Sequence, residues 1–393
     1  MKHRILNAGV SFLTLMISSL SLVAQEVKRV PMLPLADDAK LDAAVLEKSI
    51  MEGVDFLVKS QNENGSWGGP TRTKGLNIYA PLPGAHHAFR MGTSSLALTG
   101  LLDTGDSRPE VLAAISKAEK WLLKTLPRLR RADVTTTYNV WGHAYALQAL
   151  SALANREGVT EEQKEIYKKA AQGQLNALVM YQDIDGGWGY YHDIATGRPS
   201  GGSMSFTTAA VLVGVYDCQR AFGISLPEKR LKLGIKSLQY QRNPDFSYAY
   251  AHAHRMHPRV SINRPGGSLG RSQSGNAALR LFGDAKITDE VMITWLDKLV
   301  KRNGWLDIGR KRPRPHETHF AVSGYFYYFG HYYAARCIEI LPKPKQAQWQ
   351  DKLGRIIIDK QESDGCWWDF PLYDYHQPYG TGYALSILSR CRK

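Results

Sequence analysis

Cysteine is scarce in this chain of 393 residues, with four copies at positions 218, 337, 366 and 391. That density is too low for a fold held together by disulfides, although an even number permits two bridges in three pairings. A bridge between Cys337 and Cys391 is one expectation, because both fall near the far ends of neighbouring buried helices in the arrangement derived below.

Long apolar runs are also rare, since a single one extends from Ile5 to Ala24. Lys2, His3 and Arg4 precede it and small Ala24 ends it, so residues 1–24 are predicted to be a secretory signal peptide. A retained membrane anchor is the alternative, because the run is nearly long enough to span a bilayer. We therefore expect an exported protein, periplasmic or secreted, with an extended lead-in over 25–43 and no membrane span after cleavage.

Acidic residues are outnumbered: 36 Asp and Glu stand against 50 Lys and Arg, for a formal net charge of +14. A basic exported protein favours anionic partners, although the charge also fits a need for solubility alone. An anionic or amphipathic small molecule or a glycan is the predicted partner, and nucleic acid is not. The oligomeric state is left open.

The chain does contain a repeated phrase, Gln-x-x-x-Gly-x-Trp. Its three copies begin at Gln61, Gln182 and Gln361, which are 121 and 179 residues apart. These distances are close to two and three units of about 60 residues. Gln241 and the tripeptide Asn303-Gly304-Trp305 stand where two further copies are expected. The spacing predicts six units, each with more than one helix.

Each unit holds two helical stretches of different kinds. The first is amphipathic and charged, as in an exposed helix, and is predicted over 46–60, 111–126, 161–180, 228–241, 289–302 and 346–360. The second is rich in small residues and nearly uncharged, as in a buried helix, and is predicted over 94–102, 140–154, 206–220, 274–282, 322–341 and 381–388. The alternation predicts an all-α fold over 44–393, an (α/α)6 toroid with six outer and six inner helices. An open solenoid of helical pairs is the alternative.

The phrase closes an outer helix and precedes a small-residue helix such as Phe206–Ala210. In this it resembles the repeat of terpene cyclases and protein prenyltransferase β-subunits. The runs Phe329–Ala335 and Tyr379–Leu385 also resemble exported bacterial members of that superfamily. The resemblance covers 44–393 and implies a toroid with an isoprenoid-like ligand in its central cavity.

The catalytic motifs of those relatives are missing. The sequence contains no Asp-x-Asp-Asp acid of the cyclase type. The zinc positions of the prenyltransferases correspond to Val322, Gly324 and Gly380, none of which is a metal ligand. The resemblance therefore implies the fold without the chemistry, and no cofactor is predicted.

In such a ring, the segments that join each outer helix to the next inner helix emerge on one rim. Most of the 12 histidines fall in those segments, and the fourth and fifth segments are rich in arginine. A basic rim over a cavity suits a ligand with an anionic head and an apolar or sugar body, whereas a solvated basic face is the plainer alternative. The predicted ligand-binding residues are His87, His254, Arg255, Arg259, Arg271, Arg310, Arg312, Tyr328 and Tyr332.

Residues able to transfer a proton are predicted near the same rim: His319, Tyr325, His331 and His376. No metal site is predicted. His252, His254 and His257 are weak candidates, since alternating histidines can converge on zinc or copper but nothing supplies a fourth ligand.

Three functions remain open on this evidence. The first is binding, with or without processing, of an isoprenoid-like or other amphipathic anion. The second is a carbohydrate-active enzyme on an anionic glycan, of polysaccharide lyase or hydrolase type. A lyase would use a cation to neutralise a uronate and Tyr or His as base, for which Tyr325, His331, His319 and Arg312 are candidates. The third is a non-catalytic binding protein of the envelope.

Overall fold

The structure, a computed structural model, describes residues 39–71, 83–129, 139–190, 192–193, 198–199 and 202–393. The predicted leader over 1–24 and most of the lead-in over 25–43 lie outside these residues. Within the described part, no helix is both long and apolar enough to cross a bilayer.

The regular secondary structure of the described residues is almost entirely helical. The α-helices are α1 (Ala43–Lys59), α2 (Pro83–Thr104), α3 (Pro109–Thr125), α4 (Asn139–Ala154), α5 (Glu161–Tyr181), α6 (Ser205–Phe222), α7 (Glu228–Gln241), α8 (Pro265–Leu281), α9 (Asp289–Lys301), α10 (Asn303–Asp307), α11 (Phe326–Ile340), α12 (Lys343–Ile358) and α13 (His376–Arg390). Short 3₁₀ helices lie at Leu126–Arg128, His252–Met256, Ser261–Asn263 and His319–Ala321. Two two-residue strands, β1 (His192–Asp193) and β2 (Arg198–Pro199), pair antiparallel.

The helices differ in burial as their sequences predict. Helix α1, an outer helix, begins at the Asp42 cap, whose carboxylate accepts from the Ala44 backbone N–H at 2.8 Å. It buries one stripe, made by residues four and three apart: Leu46, Ile50, Val54 and Leu57. Helix α11, an inner helix, is buried at every residue from Phe326 to Ile338.

The inner helices close into a ring. In the order α2, α4, α6, α8, α11 and α13, each packs against the next, and α13 packs against α2. Helix α1 also contacts α12 and α13. The first and sixth helical pairs therefore touch, so the predicted (α/α)6 toroid is confirmed and the open solenoid is excluded. Glycines allow close packing at the seam, where a Cβ on Gly382 would lie 2.5 Å from the Leu96 carbonyl oxygen.

The three copies of the phrase form equivalent junctions between outer helices. The side-chain amides of Gln61, Gln182 and Gln361 each donate to the glycine carbonyl of their own copy and to a carbonyl of the next outer helix, at 2.7–3.1 Å. In each copy the indole N–H donates at 2.8 Å to a carbonyl ten residues earlier. The Gln361 copy joins α12 to α1 and so ties the two ends of the ring.

The two further copies of the phrase, expected at Gln241 and at Asn303-Gly304-Trp305, differ from the sequence-based expectation. The fourth junction is displaced by one residue from Gln241: Asn243 N–H donates to the Ser247 carbonyl at 2.8 Å, as Asn62 N–H donates to the Ser66 carbonyl at 2.9 Å. Phe246 then occupies the glycine position, with φ of 62°. The tripeptide Asn303-Gly304-Trp305 forms no junction, because it lies within α10 and its Trp is 38% exposed.

The expected Cys337–Cys391 bridge is wrong, because all four cysteines are free and buried. Cys337 Sγ lies 3.5 Å from the Gln273 carbonyl oxygen on α8. Cys391 instead packs against Gly354 on α12. The two thiols therefore face different neighbouring helices.

Candidate active site

The inner helices all begin at one end of the ring, here called the entry rim. It comprises the described parts of the segments that lead into inner helices: 60–71, 126–129, 182–190, 242–264, 302–325 and 359–375. Three of these segments bring tyrosine and histidine side chains together. The candidate site is built around them.

A chain of hydroxyl groups runs between those segments. Tyr190 Oη lies 3.2 Å from Tyr250 Oη, which lies 3.3 Å from Tyr325 Oη. Tyr325 Oη lies 3.0 Å from His316 Nε2. All four side chains are half-buried, so they reach the surface of the rim while contacting one another. We call Tyr190, Tyr250, Tyr325 and His316 the hydroxyl chain.

The protonation of His316 follows from its neighbours. Its Nδ1 lies 2.8 Å from the Ala321 carbonyl oxygen, which can only accept, so Nδ1 carries the proton. Nε2 must then accept from the Tyr325 hydroxyl. Burial lowers the pKa of His316, and the nearby charge of Arg271 lowers it further, while the bond to Ala321 opposes both. The imidazole is therefore neutral near pH 7 and is able to take a proton.

The backbone around His316 is strained. Lys311, His316, Phe320 and Ala321 have φ between 54° and 65°, a region that side chains with a Cβ rarely occupy. Non-glycine residues in this region cost of order 1–3 kcal/mol each and cluster at functional sites. Four such residues lie within one segment of the rim. Their conformation reduces stability, so we infer that this segment serves a function.

Arg271 places a positive charge beneath the hydroxyl chain. It is fully buried, and its guanidinium donates to the carbonyls of Gly267 at 2.8 Å and Ile262 at 2.5 Å. It also lies 5.4 Å from the ring centroids of both Tyr250 and Phe326. Burial lowers its pKa to about 10, and the guanidinium remains charged at neutral pH. Since no part of it is exposed, Arg271 acts on a ligand through its field rather than by contact.

An aromatic wall flanks the hydroxyl chain. The Trp141 indole is half-buried and stacks on Phe206 at 6.0 Å and on Tyr145 at 5.7 Å. Phe206 in turn lies 5.1 Å from the Tyr250 ring. Exposed edges of such rings can bind the apolar face of a sugar or an isoprenoid chain.

Asp369 is a second buried titratable group on this rim. Its carboxylate accepts from the Tyr328 backbone N–H at 3.0 Å, in the first turn of α11, and from the Tyr379 hydroxyl. Burial raises the pKa of Asp369 to about 6, although these hydrogen bonds oppose the rise. The carboxylate caps α11 and orients Tyr379, and it can change its charge in the physiological range.

The predicted residues divide into two groups by position. Arg271 and Tyr325 lie in the candidate site, and His254 adjoins it with its ring 5.5 Å from that of Tyr250. His331 lies in the core, with Nδ1 2.6 Å from the Tyr327 carbonyl and Nε2 2.8 Å from the Asn303 amide. Tyr332 donates to Gln148 at 2.7 Å, deep in the ring and away from the rim.

The remaining predicted residues lie around the rim without joining the hydroxyl chain. His376 begins α13 and bonds the Tyr373 carbonyl at 2.7 Å, while the buried Tyr328 packs beside Tyr327. The side chain of His319 lies outside the described residues. His87 and Arg259 are exposed, and Arg255 donates to Asn243 at 3.0 Å.

The arginines of the fifth segment are partly neutralised by carboxylates. Arg310 pairs with Asp307 at 2.7 Å and with Glu362 at 3.8 Å. Arg312 is exposed and lies 3.8 Å from Glu317. Both are therefore less free to bind an anion than their sequence context predicts.

The three histidines of the fourth segment do not converge. His252 stacks on Tyr240 at 4.5 Å, with Nδ1 3.9 Å from an Asp185 oxygen. His254 faces Tyr250, and His257 is exposed. Among the described residues, no three His, Cys, Asp or Glu side chains are grouped as a metal site requires.

Sequence reasoning missed Tyr190, Tyr250, His316, Trp141 and Asp369. A positional signal was present for three of them. Tyr190 and Asp369 stand two residues after Trp188 and Trp367, and Tyr250 stands two residues after Tyr248, the aromatic residue of the displaced fourth junction. Because the junctions are equivalent, this position projects toward the same rim each time.

Comparisons with known proteins agree with the fold. The structure is similar to cellobiose 2-epimerase from Spirochaeta thermophila DSM 6192, with a TM-score of 0.55 and 14% identity over 89% of this chain and 98% of the epimerase. It is also similar to the GH76A α-1,6-mannanase from Salegentibacter sp. HEL1_6, with a TM-score of 0.52 and 11% identity over 88% of this chain and 98% of the mannanase. A type II terpene cyclase, MstE from Scytonema, matches with a TM-score of 0.49 and 15% identity over 88% of this chain and 97% of the cyclase.

No protein-family model matches the sequence, and no curated protein matches it. At these identities the structural likeness establishes the α/α-toroid fold alone. The resemblance of the repeat to terpene cyclases stays an interpretation of the sequence.

Proposed function

We propose that the protein is a carbohydrate-active enzyme of lyase type, which removes a proton from a uronic-acid residue of an anionic glycan. The hydroxyl chain is the observation that carries this proposal. It ends on a neutral imidazole and lies over a buried cation, which is an arrangement suited to proton transfer from an anionic substrate. Export, as predicted from residues 1–24, would place the enzyme where such polysaccharides occur.

The hydroxyl chain allows proton transfer without formation of a free tyrosinate. Burial holds the pKa of Tyr325 well above its usual value, so the hydroxyl does not ionise by itself. It can pass its own proton to His316 Nε2 as its oxygen takes one from the substrate. The net acceptor is then His316, and the high pKa of Tyr325 is no obstacle because no phenolate accumulates.

The same groups can complete an elimination. The C–H bond next to the uronate carboxylate breaks, its electron pair forms a carbon–carbon double bond, and the glycosidic C–O bond on the adjacent carbon breaks. The protonated His316 returns its proton through Tyr325 to the leaving oxygen, so protons balance over the cycle. Arg271 stabilises the negative charge that develops on the carboxylate side.

Substrate binding is assigned to the aromatic wall and to the basic part of the rim. Trp141 provides a face for a sugar ring. His254 is half-buried, and its ring lies 5.5 Å from that of Tyr250, so its exposed part is placed to contact a ligand at the hydroxyl chain. Exposed Arg259 and Arg314 would attract a polyanion to the rim.

An isoprenoid-like or other amphipathic anion is the second candidate ligand. The wall formed by Trp141, Phe206 and Phe329 is apolar, and Phe329 lies 5.9 Å from Trp141. The junction motif adds the resemblance to terpene cyclases. Against this candidate, the hydroxyl chain provides no strong acid for protonating an alkene.

The test is an assay of purified protein against a panel of uronic-acid polysaccharides, with ultraviolet absorbance of unsaturated uronate as the readout. The variants Tyr325→Phe and His316→Gln each remove one member of the chain. Tyr216→Phe is the matched control, because Tyr216 lies near the opposite end of α6, where its ring packs against Phe282. We expect roughly 10²- to 10⁴-fold loss of kcat/KM in the first two variants and wild-type rates in the control.

Each alternative outcome has a separate meaning. Activity that survives both Tyr325→Phe and His316→Gln would overturn the assigned roles. Retention of polyprenyl diphosphates with no product from any glycan would favour the second candidate. Binding of a glycan without turnover would leave a non-catalytic envelope protein.

A further inference from the structure

A cavity opens at the end of the ring opposite the entry rim, where the inner helices end. Its volume is about 790 Å³, within the range of roughly 300–1,000 Å³ typical of small-molecule sites. It is lined by the C-terminal halves of α2, α4, α6 and α11, with Arg390 from the end of α13. We call it the exit cavity.

Charged side chains from four inner helices form one network in its wall. Arg336 on α11 pairs with Asp217 on α6 through two bonds of 2.7 and 3.0 Å. Arg390 on α13 pairs with Asp103 on α2 at 2.6 Å. Glu339 lies 3.3 Å from Arg336 and 3.5 Å from Arg390, so it joins the two pairs.

This network leaves hydrogen-bonding capacity unused. A guanidinium has five N–H donors and a carboxylate about four acceptor sites, more than the contacts within the network occupy. Tyr332 and Gln148 also line the cavity, and the Tyr332 hydroxyl donates to the Gln148 carbonyl at 2.7 Å. Fixed donors and acceptors therefore alternate over a short distance.

The charge balance selects the kind of ligand. Every charge in the network already has a partner of opposite sign, so an ionic ligand would have to compete with an existing ion pair. A hydroxyl group donates and accepts without bringing a charge. The rest of the lining includes Leu102, Leu112, Ile115 and Ala152, which suit the C–H faces of a sugar ring. It also includes the charged residues Asp106, Arg156, Glu157 and Arg220, which are two acids and two bases and add no net charge.

We propose that the exit cavity binds a neutral, hydroxyl-rich ligand of the size of a mono- or disaccharide. This site is separate from the candidate active site and does not depend on the proposed function. Tyr145, Tyr333 and Tyr383 are buried in the middle of the ring, between the two ends. A ligand at one end would not reach the other by passing between these side chains.

The test measures binding of neutral mono- and disaccharides by titration calorimetry and ligand-observed NMR. Galacturonate and glucosamine serve as charged counterparts. Ala152→Phe fills the exit cavity, and Asn155→Trp narrows its mouth at an exposed residue where folding is not at risk. Trp141→Ala is the matched variant at the entry rim, with circular dichroism and thermal melting as checks of folding.

We expect the neutral sugars to bind more tightly than their charged counterparts. Their Kd should rise roughly tenfold or more in Ala152→Phe and Asn155→Trp, as is common for lost pocket contacts, and should stay unchanged in Trp141→Ala. Binding that disappears only in Trp141→Ala would place the sugar at the entry rim and overturn the proposal. Preference for a charged counterpart, or no binding of any neutral sugar, would also overturn it.

Discussion

Arg271 shows how one residue can serve both the fold and a site. Its guanidinium is held by carbonyls from its own helix and from the preceding 3₁₀ helix, so the start of α8 is organised around it. The same contacts fix a positive charge beneath Tyr250. The field is available to a ligand, whereas the guanidinium itself is fully buried and out of contact with it. An exposed arginine of the rim would provide contact without this fixed field.

The buried histidines lead to a prediction about how the stability of the protein depends on pH. Burial in the core lowers the pKa of His331 to about 4, although its hydrogen bond to the Tyr327 carbonyl opposes the shift. An unfolded histidine takes up its proton near pH 6.5. Between these values the unfolded state binds more protons, so stability falls as the pH falls from about 6.5 toward 4. The difference corresponds to about 3 kcal/mol for His331.

Urea unfolding at pH 7 and at pH 4.5 measures this effect. His331→Gln should reduce the loss of unfolding free energy between the two pH values relative to wild type. His87→Gln, at an exposed residue of α2, should leave the loss unchanged. An identical loss in wild type and His331→Gln would mean that His331 titrates normally. His143, whose pKa is also lowered to about 4 by burial, should retain its own contribution in both variants.

At the scale of the element, the junctions between outer helices depend on glycine. Gly365 has φ of 85°, and a Cβ there would lie 2.5 Å from the Glu52 carbonyl oxygen of α1. Gly365→Ala should therefore destabilise the protein by roughly 1–3 kcal/mol, through both backbone strain and displacement of α1. Gly173→Ala is the control, because Gly173 lies within α5 and no atom of another described element lies within 4 Å of its Cβ position. It should stabilise by roughly 0.4–1 kcal/mol.

Thermal and urea unfolding of both variants check this pair. Opposite signs of the change in unfolding free energy are expected. A Gly365→Ala variant as stable as wild type would show that the junction adapts to a side chain, as it does at Phe246 in the fourth copy.

The helices were largely predictable, apart from the starts of three inner helices. All six outer helices were predicted within three residues at each end. Three inner helices begin earlier than expected, at Pro83, Pro265 and His376 rather than near 94, 274 and 381. Their first turns hold proline, glycine and histidine, which are typical of loops. At α8 a Cβ on Gly267 would lie 2.5 Å from the Phe320 carbonyl oxygen, so glycine is needed where the rim packs on the helix.

The candidate site was predictable only in part, because several of its contacts depend on the conformation of the segments between helices. Arg271 and Tyr325 were chosen from charge and aromatic content, which are visible in the sequence. His316 depends on a strained turn, and the contacts of Tyr190 and Tyr250 depend on how two segments 60 residues apart meet. The hydrophobic and repeat patterns of the sequence do not specify contacts between such distant segments. The position two residues after each junction aromatic would have pointed to both tyrosines.

At the scale of the whole molecule, the toroid has two chemically different ends. Hydroxyl and imidazole groups meet at the entry rim, and paired charges meet at the exit cavity. Tyrosines fill the ring between them: Tyr145 and Tyr383 share a hydrogen bond, and Tyr332 and Tyr383 pack at 5.3 Å. Buried hydroxyls stabilise the core when they are paired, so the Tyr145–Tyr383 bond is a polar contact within an otherwise apolar part of the ring.

Closure of the ring brings distant parts of the sequence together. The Leu41 backbone N–H donates to the Asp351 carboxylate at 2.9 Å, and Lys393 Nζ lies 2.7 Å from the same carboxylate. Arg355 donates to the Ala39 carbonyl at 3.0 Å. Residues 39 and 393 therefore both contact the same outer helix, α12. A short linker of glycine and serine would be able to join them.

This geometry predicts that a circular permutant will fold. Residue 393 is joined to residue 39, and the chain is reopened between Glu157 and Gly158, which are exposed in the turn between α4 and α5. Exposed turns tolerate new termini, because no buried contact or helix is interrupted. We expect helical circular dichroism and one cooperative melting transition, as in the parent residues 39–393. Reopening instead between Ala146 and Leu147, both fully buried in α4, should abolish folding. If the first permutant is unfolded while the parent melts cooperatively, residues 39 and 393 are not neighbours and the ring is not closed as described.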